Sequence, residues 1–297
     1  MTAARAGPLQ GRVALVTGAS RGIGKGCALE LGLAAATVYV TARTVEAGVA
    51  PLPGTLGETV AEVEALGGRA VGVACDHRED DQVAALFERI ARDEGRLDVL
   101  VNNAFAIPPE LVNGRPFWEN PLSNWDDMID VGTRSAYVAS WHAARAMVPR
   151  GDGLIANVSS SGAAEYAWHV VYGVGKAALD RITSDAAREL RAHGVCVVSL
   201  WPGLVLTERT ERARDAIPGL DFANAESQRF TGRAVAALAA DPDRLARSGR
   251  AWSSRELAEA YGFRDLDGRL PAGPVHARPK GVAGTRPGSP GRPPGGP

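Results

Sequence analysis

Six short apolar runs, each followed by a stretch with helical spacing, restrict what this chain can fold into. VALVTG (13–18), TVYVTA (37–42), AVGVAC (70–75), LDVLVNNA (97–104), LIANVSS (154–160) and VCVVSLWPG (195–203) are almost continuously apolar, as strands buried on both faces are. Between them apolar residues recur at helical intervals, as at Ile23, Cys27 and Leu31, at Val83, Leu86 and Ile90, and at Ile182, Ala186 and Leu190. Such alternation predicts an α/β fold: a doubly wound parallel sheet with right-handed crossovers and helices on both faces, in a single domain over residues 11–270 behind an N-terminal arm, residues 1–10. In sheets of this kind ligands sit beyond the carboxyl ends of the strands, so the residues that follow each run are the ones to question.

Composition narrows the reading by exclusion. With 297 residues, 45% hydrophobic and 23% charged, the chain is long enough to bury a full core. A formal net charge of -1 gives no electrostatic reason to expect nucleic acid or an anionic membrane as partner. Cys27, Cys75 and Cys196 stand far apart, and the five histidines show no ligand spacing, so neither a disulfide framework nor a metal site is expected. A reducing cytoplasm fits. MTAARAGPLQ has no apolar core and nowhere do about 18 apolar residues run together, so neither a signal peptide nor a membrane span is expected. From Pro271 onward 15 of the last 27 residues are Pro or Gly, and residues 271–297 are expected to be a disordered tail.

The first run ends in TGASRGIG (17–24) and leads into a helical pattern. Gly18, Gly22 and Gly24 permit a tight turn, close approach of a diphosphate and close packing, while the helix N-terminus offers free amides. That context points to a dinucleotide. After the second run stands Ala42–Arg43 rather than an acid, and Arg43, with Arg21 from the turn, has the charge to pair with a 2′-phosphate. NADP(H) is therefore expected over NAD(H). Asp76, just past the third run, is placed either to bond adenine or to cap the next helix. In VVYGVGK (170–176), Tyr172 and Lys176 lie four apart, so on a helix both reach one cleft.

Together TGASRGIG, Asp76, NNA (102–104), the serine-bearing strand, YGVGK and PGLVLT (202–207) make the chain resemble the short-chain dehydrogenase/reductase family, with its Rossmann fold, over residues 10–270. The resemblance implies that Tyr172 is the proton donor to a substrate carbonyl and that Lys176 binds the nicotinamide ribose and lowers the tyrosine's pKa. It makes Ser160 the hydroxyl that bonds the carbonyl, one residue nearer the tyrosine than is common in the family, with Ser159 and Ser161 as competitors. Cofactor contacts carried over are Ser20, Ile23, Asn103, Pro202 and Gly203, with Val205 and Thr207 at the carboxamide. Asn102 and Asn103 would brace the cofactor and the central sheet. Gly132 stands where the family often has an asparagine whose backbone carbonyl holds a relay water. Residues 208–230 align with a substrate lid. Insertions VEAGVAPLPGTLG and IPPELVNGRPFWENPLSN flank the pocket, with Phe105, Trp118, Trp168 and His169 as candidate lining and Trp201 as packing.

The expected activity is NADPH-dependent reduction of a small-molecule carbonyl, reversible as an alcohol dehydrogenase, with a homo-oligomer left open. The alternative is an NADP(H)-binding regulatory or scaffold protein with vestigial catalysis, which Gly132 keeps alive and the Ser160, Tyr172 and Lys176 set opposes.

Overall fold

The computed structural model describes residues 7–46, 48, 51–214 and 221–274. All six apolar runs form parallel strands: β1 Val13–Thr17, β2 Thr37–Ala42, β3 Arg69–Ala74, β4 Val99–Asn102, β5 Gly153–Val158 and β6 Val195–Trp201. A separate short pair joins β7 Val205–Leu206 to β8 Glu226–Ser227. The sheet gains a seventh strand that the sequence did not announce, β9 Ala251–Ser253, and its order is β3-β2-β1-β4-β5-β6-β9. Three residues, two of them half-buried, carry too little pattern to be seen; β9 exists because β6 offers it an edge.

Alternation of side chains along each strand produces two cores. Ala14, Val16, Val38, Val40, Val99 and Val101 enter the one covered by α1 Gly22–Leu33, α2 Leu56–Ala65, α8 Gln228–Ala240 and α9 Ser254–Tyr261. Val13, Leu15, Tyr39, Leu100 and Ile155 enter the other, beneath α3 Asp80–Glu94, α5 Ser135–Met147 and α6 Val170–Leu190. Both faces of the sheet are therefore apolar, which is why the runs read as continuous; the exception is β3, which lies at the edge with only Ala70 fully buried, contrary to the doubly buried strand expected there. Glycines let α1 and α8 cross closely: a Cβ on Gly26 would stand 1.9 Å from the Gln228 carbonyl oxygen.

Two elements depart from the periodicity. On α6 the buried stripe is Lys176, Leu179, Thr183 and Ala187, while Ile182, Ala186 and Leu190 are only half-buried. Polar residues on the inward face rotate the helix away from the face that hydrophobicity alone selects. Ahead of α5, the turn α4 Ser123–Trp125 passes into a π-helical segment, Asp126–Arg134, that contains Gly132; such widened turns gather at functional sites.

Of the stretch assigned to the tail, residues 271–274 are placed: Arg255 Nη1 donates to the Pro271 carbonyl at 3.0 Å, and Gly273 lies against Gly203. Residues 275–297 lie outside the described residues, as do 215–220 of the lid stretch. Among the described residues no helix is long and apolar enough to cross a membrane, and no group of three His, Cys, Asp or Glu is arranged to hold a metal.

Candidate active site

Strand order reverses between β1 and β4, and beyond their carboxyl ends lies a cleft of about 490 Å³. It is lined by every residue assigned above to cofactor or chemistry except Asn102, Gly132 and Gly24, the last packing behind the turn against Asn103. Gly18 and Gly22 take left-handed φ values of +66° and +58°, a conformation that glycine adopts without a Cβ penalty. Asn103 Nδ2 ties this turn to β4 by donating to the carbonyls of Thr17 and Gly18 at 3.0 and 2.9 Å. Gly22 N–H donates at 3.1 Å to Glu208 Oε2, the first residue of α7 Glu208–Arg212. An anionic oxygen thus rests on a free amide of α1, in the manner of a phosphate oxygen. On that observation the cradle fits a dinucleotide.

Toward the adenine end, Arg43 Nη1 lies 3.8 Å from Asp76 Oδ2, with the arginine side chain 56% exposed. Asp76 Oδ1 also accepts from Arg78 N–H, so it serves the following turn while lining the cleft. Arg21 differs from a free phosphate partner: Nε donates to Pro53 O at 2.8 Å and Nη2 to Gly54 O at 3.0 Å, both in the first insertion. Thr207 caps α7 through a reciprocal pair with Thr210.

At the other end Tyr172 Oη donates to Ser160 Oγ at 2.9 Å. Ser159 Oγ instead donates to the Lys176 carbonyl, so of the competing serines it is Ser160 that meets the tyrosine. A 3₁₀ turn, Ser161–Ala163, absorbs the shortened connection. His169, not a wall residue, caps α6 by accepting from Val171 N–H at Nδ1. Before it Trp168 is held at φ +61°, a strained conformation for a bulky side chain, and lines the cleft together with Phe105. Trp118 is 73% exposed and lines no part of it.

Lys176 Nζ donates to the Val158 carbonyl at 3.0 Å and stands 4.5 Å over the Phe105 ring. Burial pulls its pKa down to about 8, against the charge of Asp180. Burial likewise pushes the Tyr172 phenol above its ordinary value, and the Ser160 bond only partly opposes this. A lysine-lowered phenol was expected; in the protein alone desolvation prevails, with Nζ 5.8 Å from the Tyr172 ring and turned to Val158. Phe105 also explains Gly132, since a Cβ there would come within 2.5 Å of the Phe105 ring.

Behind these groups runs a buried polar ladder. Asn102 Nδ2 donates to Asn157 Oδ1 at 2.8 Å, Asn157 Nδ2 to Thr183 Oγ1 at 2.8 Å, and Thr183 bonds Ser199 at 2.9 Å. Trp201, read as packing, donates from Nε1 to Asp180 Oδ2 at 3.0 Å. Glu208 and Asp180 were not singled out from the sequence. Asp180 had a signal, its position four residues beyond Lys176; Glu208 had none, because its contact joins residues 186 apart.

Comparison with known proteins agrees with this geometry. Residues 12–218 match the family model for short chain dehydrogenases. The chain is 48% identical over 275 residues to dehydrogenase/reductase SDR family member 1 of Mus musculus, covering 88% of this chain and 85% of that protein. The Homo sapiens protein of that name is 47% identical over 277 residues, covering 89% and 86%. A solved metagenomic short-chain oxidoreductase in complex with NADP superposes with a TM-score of 0.65 at 34% identity, over 80% of this chain and 94% of that one. The chain belongs to the short-chain dehydrogenase/reductase family of NAD(P)-binding oxidoreductases.

Proposed function

We propose that this protein is an NADPH-dependent carbonyl reductase, reversible as an alcohol dehydrogenase, acting on a small ketone or aldehyde in the cytoplasm. The observation that carries the reading is the 2.9 Å bond from Tyr172 Oη to Ser160 Oγ, with Lys176 one helical turn further along α6. As the pair stands the phenol hydrogen goes to Ser160, which leaves the serine hydrogen for a carbonyl oxygen; when a substrate binds, the phenol turns its own hydrogen to the same oxygen. Tyr172 gives up its proton as the carbonyl becomes an alcohol; burial, which keeps the phenol protonated, suits it to the reducing direction. The Lys176 ammonium stabilises the phenolate left behind. The nicotinamide, when bound, supplies the hydride. Phe105 and Trp168 wall the reacting end with apolar surface.

Preference for NADPH rests on Arg43. Its 3.8 Å contact with Asp76 is loose and exposed, so the guanidinium is available to a 2′-phosphate. The likeness to a relative solved with NADP supports the same choice. Three buried free cysteines suit a reducing compartment. The test is a panel of ketones, quinones and aldehydes followed by loss of NADPH absorbance. Turnover of at least one with NADPH is the expected result. Tight NADPH binding without turnover of any would favour a binding or scaffold role.

A further inference from the structure

We infer that Asp180, bonded by the Trp201 indole, is a positioning residue for Lys176: the half-buried carboxylate that keeps the ammonium charged and seated on the Val158 carbonyl. The inference deepens the proposed carbonyl-reductase reading and rests on it for its catalytic meaning.

Lys176 is 6% exposed. Its hydrogen bond goes to a neutral carbonyl, and its other neighbour is the face of Phe105. An ammonium so enclosed is costly without an opposite charge. Four residues on, and so on the same side of α6, Asp180 brings an opposite charge that acts on Lys176 through space, without an ion pair inside 4.0 Å. Its Oδ2 accepts from Trp201 Nε1 at 3.0 Å, while the buried Oδ1 makes no hydrogen bond. The indole is its one direct donor, the Ser199 and Ser159 hydroxyls stand close by, and the enclosed ammonium four residues away on the same helix face gives its charge a use. The titratable groups around Lys176 are Tyr172 and Asp180, both on α6, with β5 contributing the Val158 carbonyl and the loop after β4 the Phe105 ring.

Charge effects run the same way. Burial lowers Lys176 and Asp180 raises it. Burial raises Asp180, and the hydroxyls of Ser199 and Ser159, the indole of Trp201 and the charge of Lys176 pull it back. Trp201 ends β6 directly before Pro202 and Gly203, so the same bond ties the turn that lines the cleft to the helix that carries Tyr172.

The chain has three lysines, Lys25, Lys176 and Lys280, so protein labelled with ¹³C-lysine gives three side-chain signals by NMR, and loss of one in Lys176→Arg assigns it. In the full chain the Lys176 signal should titrate near pH 8. In Asp180→Asn the titration should fall by at least about one pH unit, a tenfold smaller ammonium-to-amine ratio at a fixed pH above it. Asp180→Glu should restore most of the shift, and Trp201→Phe, which leaves the carboxylate but removes its donor, should give a smaller change in the same direction. On the activity side, turnover of Asp180→Asn relative to the parent should decline between pH 6.5 and 9 rather than stay at a constant fraction. An unmoved Lys176 titration in Asp180→Asn overturns the inference; if that variant does not fold, an unmoved titration in Trp201→Phe does so. Because the titration needs no turnover, a parent inactive on every carbonyl tried would refute the reductase reading and leave this result standing by itself.

Discussion

At the Tyr172 end of the cleft the polar groups are buried or half-buried and committed to one another or to the main chain: phenol to Ser160, ammonium to Val158, Asp180 to Trp201. At the diphosphate end the partners are ones a ligand would exchange. Arg43 leans loosely on Asp76, and the Gly22 amide holds a carboxylate from α7. Arg21 is fastened to carbonyls of an insertion. The first end is preorganised for chemistry, in the sense that Ser160, Tyr172 and Lys176 already stand together and only the phenol hydrogen and the ammonium change partner when ligands arrive. The second trades internal bonds for bonds to the cofactor, so its affinity is a difference between the two. Substitutions at the first end should therefore abolish steps, and those at the second should shift affinities in either direction.

The largest effect belongs to Lys176→Ala. Turnover should drop about 10³-fold, within the range that general acid–base groups contribute, and NADPH affinity about tenfold as the ribose loses its ammonium. Steady-state kinetics and a fluorescence titration of NADPH check both; parental turnover would erase the contrast, and parental affinity would remove Lys176 from the cofactor's partners. Next is the double variant Ala42→Asp with Arg43→Ser. The ratio of kcat/KM for NADPH over NADH should fall by about ten- to a hundredfold, the worth of one charge-assisted contact after solvent losses. Both cofactors must be compared at one ionic strength. Arg21 adds little to this figure because its donors are already taken. An unchanged ratio would make Arg43 a solvated surface residue.

Glu208→Gln sharpens the comparison from the opposite side. Removing a carboxylate from the Gly22 amide should tighten NADPH about threefold to tenfold, while adenosine 2′-monophosphate, which has no diphosphate, should bind as before. Calorimetry on both ligands decides it, and weaker NADPH binding would mean that Glu208 assists the cofactor. The smallest effect is at the tail. Ending the chain after Pro274 should leave Tm within about 1 °C, whereas ending it after Leu270, which removes the Pro271 and Gly273 contacts, should lower it by about 2–4 °C, as loss of about 1 kcal/mol does in a domain of this size. Equal Tm values would show those contacts to be energetically silent.

The same division governs what could be read in advance. Strands buried on both faces announce themselves, since nearly every position is apolar and the few polar ones pair with each other, and the turn between β1 and α1 is legible because glycine types at fixed offsets are a backbone requirement. Tyr172 and Lys176 are local in sequence and share one helix. What stayed hidden is non-local or compensated. β9 depends on an edge offered by β6. Gly132 makes sense only once Phe105, from another loop, is seen to fill the space above it. The inward face of α6 carries Lys176 and Thr183, which a search for apolar periodicity passes over. Trp201 looked like packing because an indole reveals its hydrogen-bond partner only in three dimensions.

The central claim is that proton transfer resides at Tyr172 while cofactor affinity resides elsewhere in the cleft. Tyr172→Phe separates the two, because it keeps the ring beside Phe105 and deletes only the hydroxyl. Single-turnover reduction of the best carbonyl substrate, measured beside an NADPH titration on the same preparation, is the most direct measurement. The account predicts a rate lower by about 10²- to 10⁴-fold with NADPH Kd changed by no more than about threefold. A variant that reduces the substrate at a rate near the parent's would contradict it.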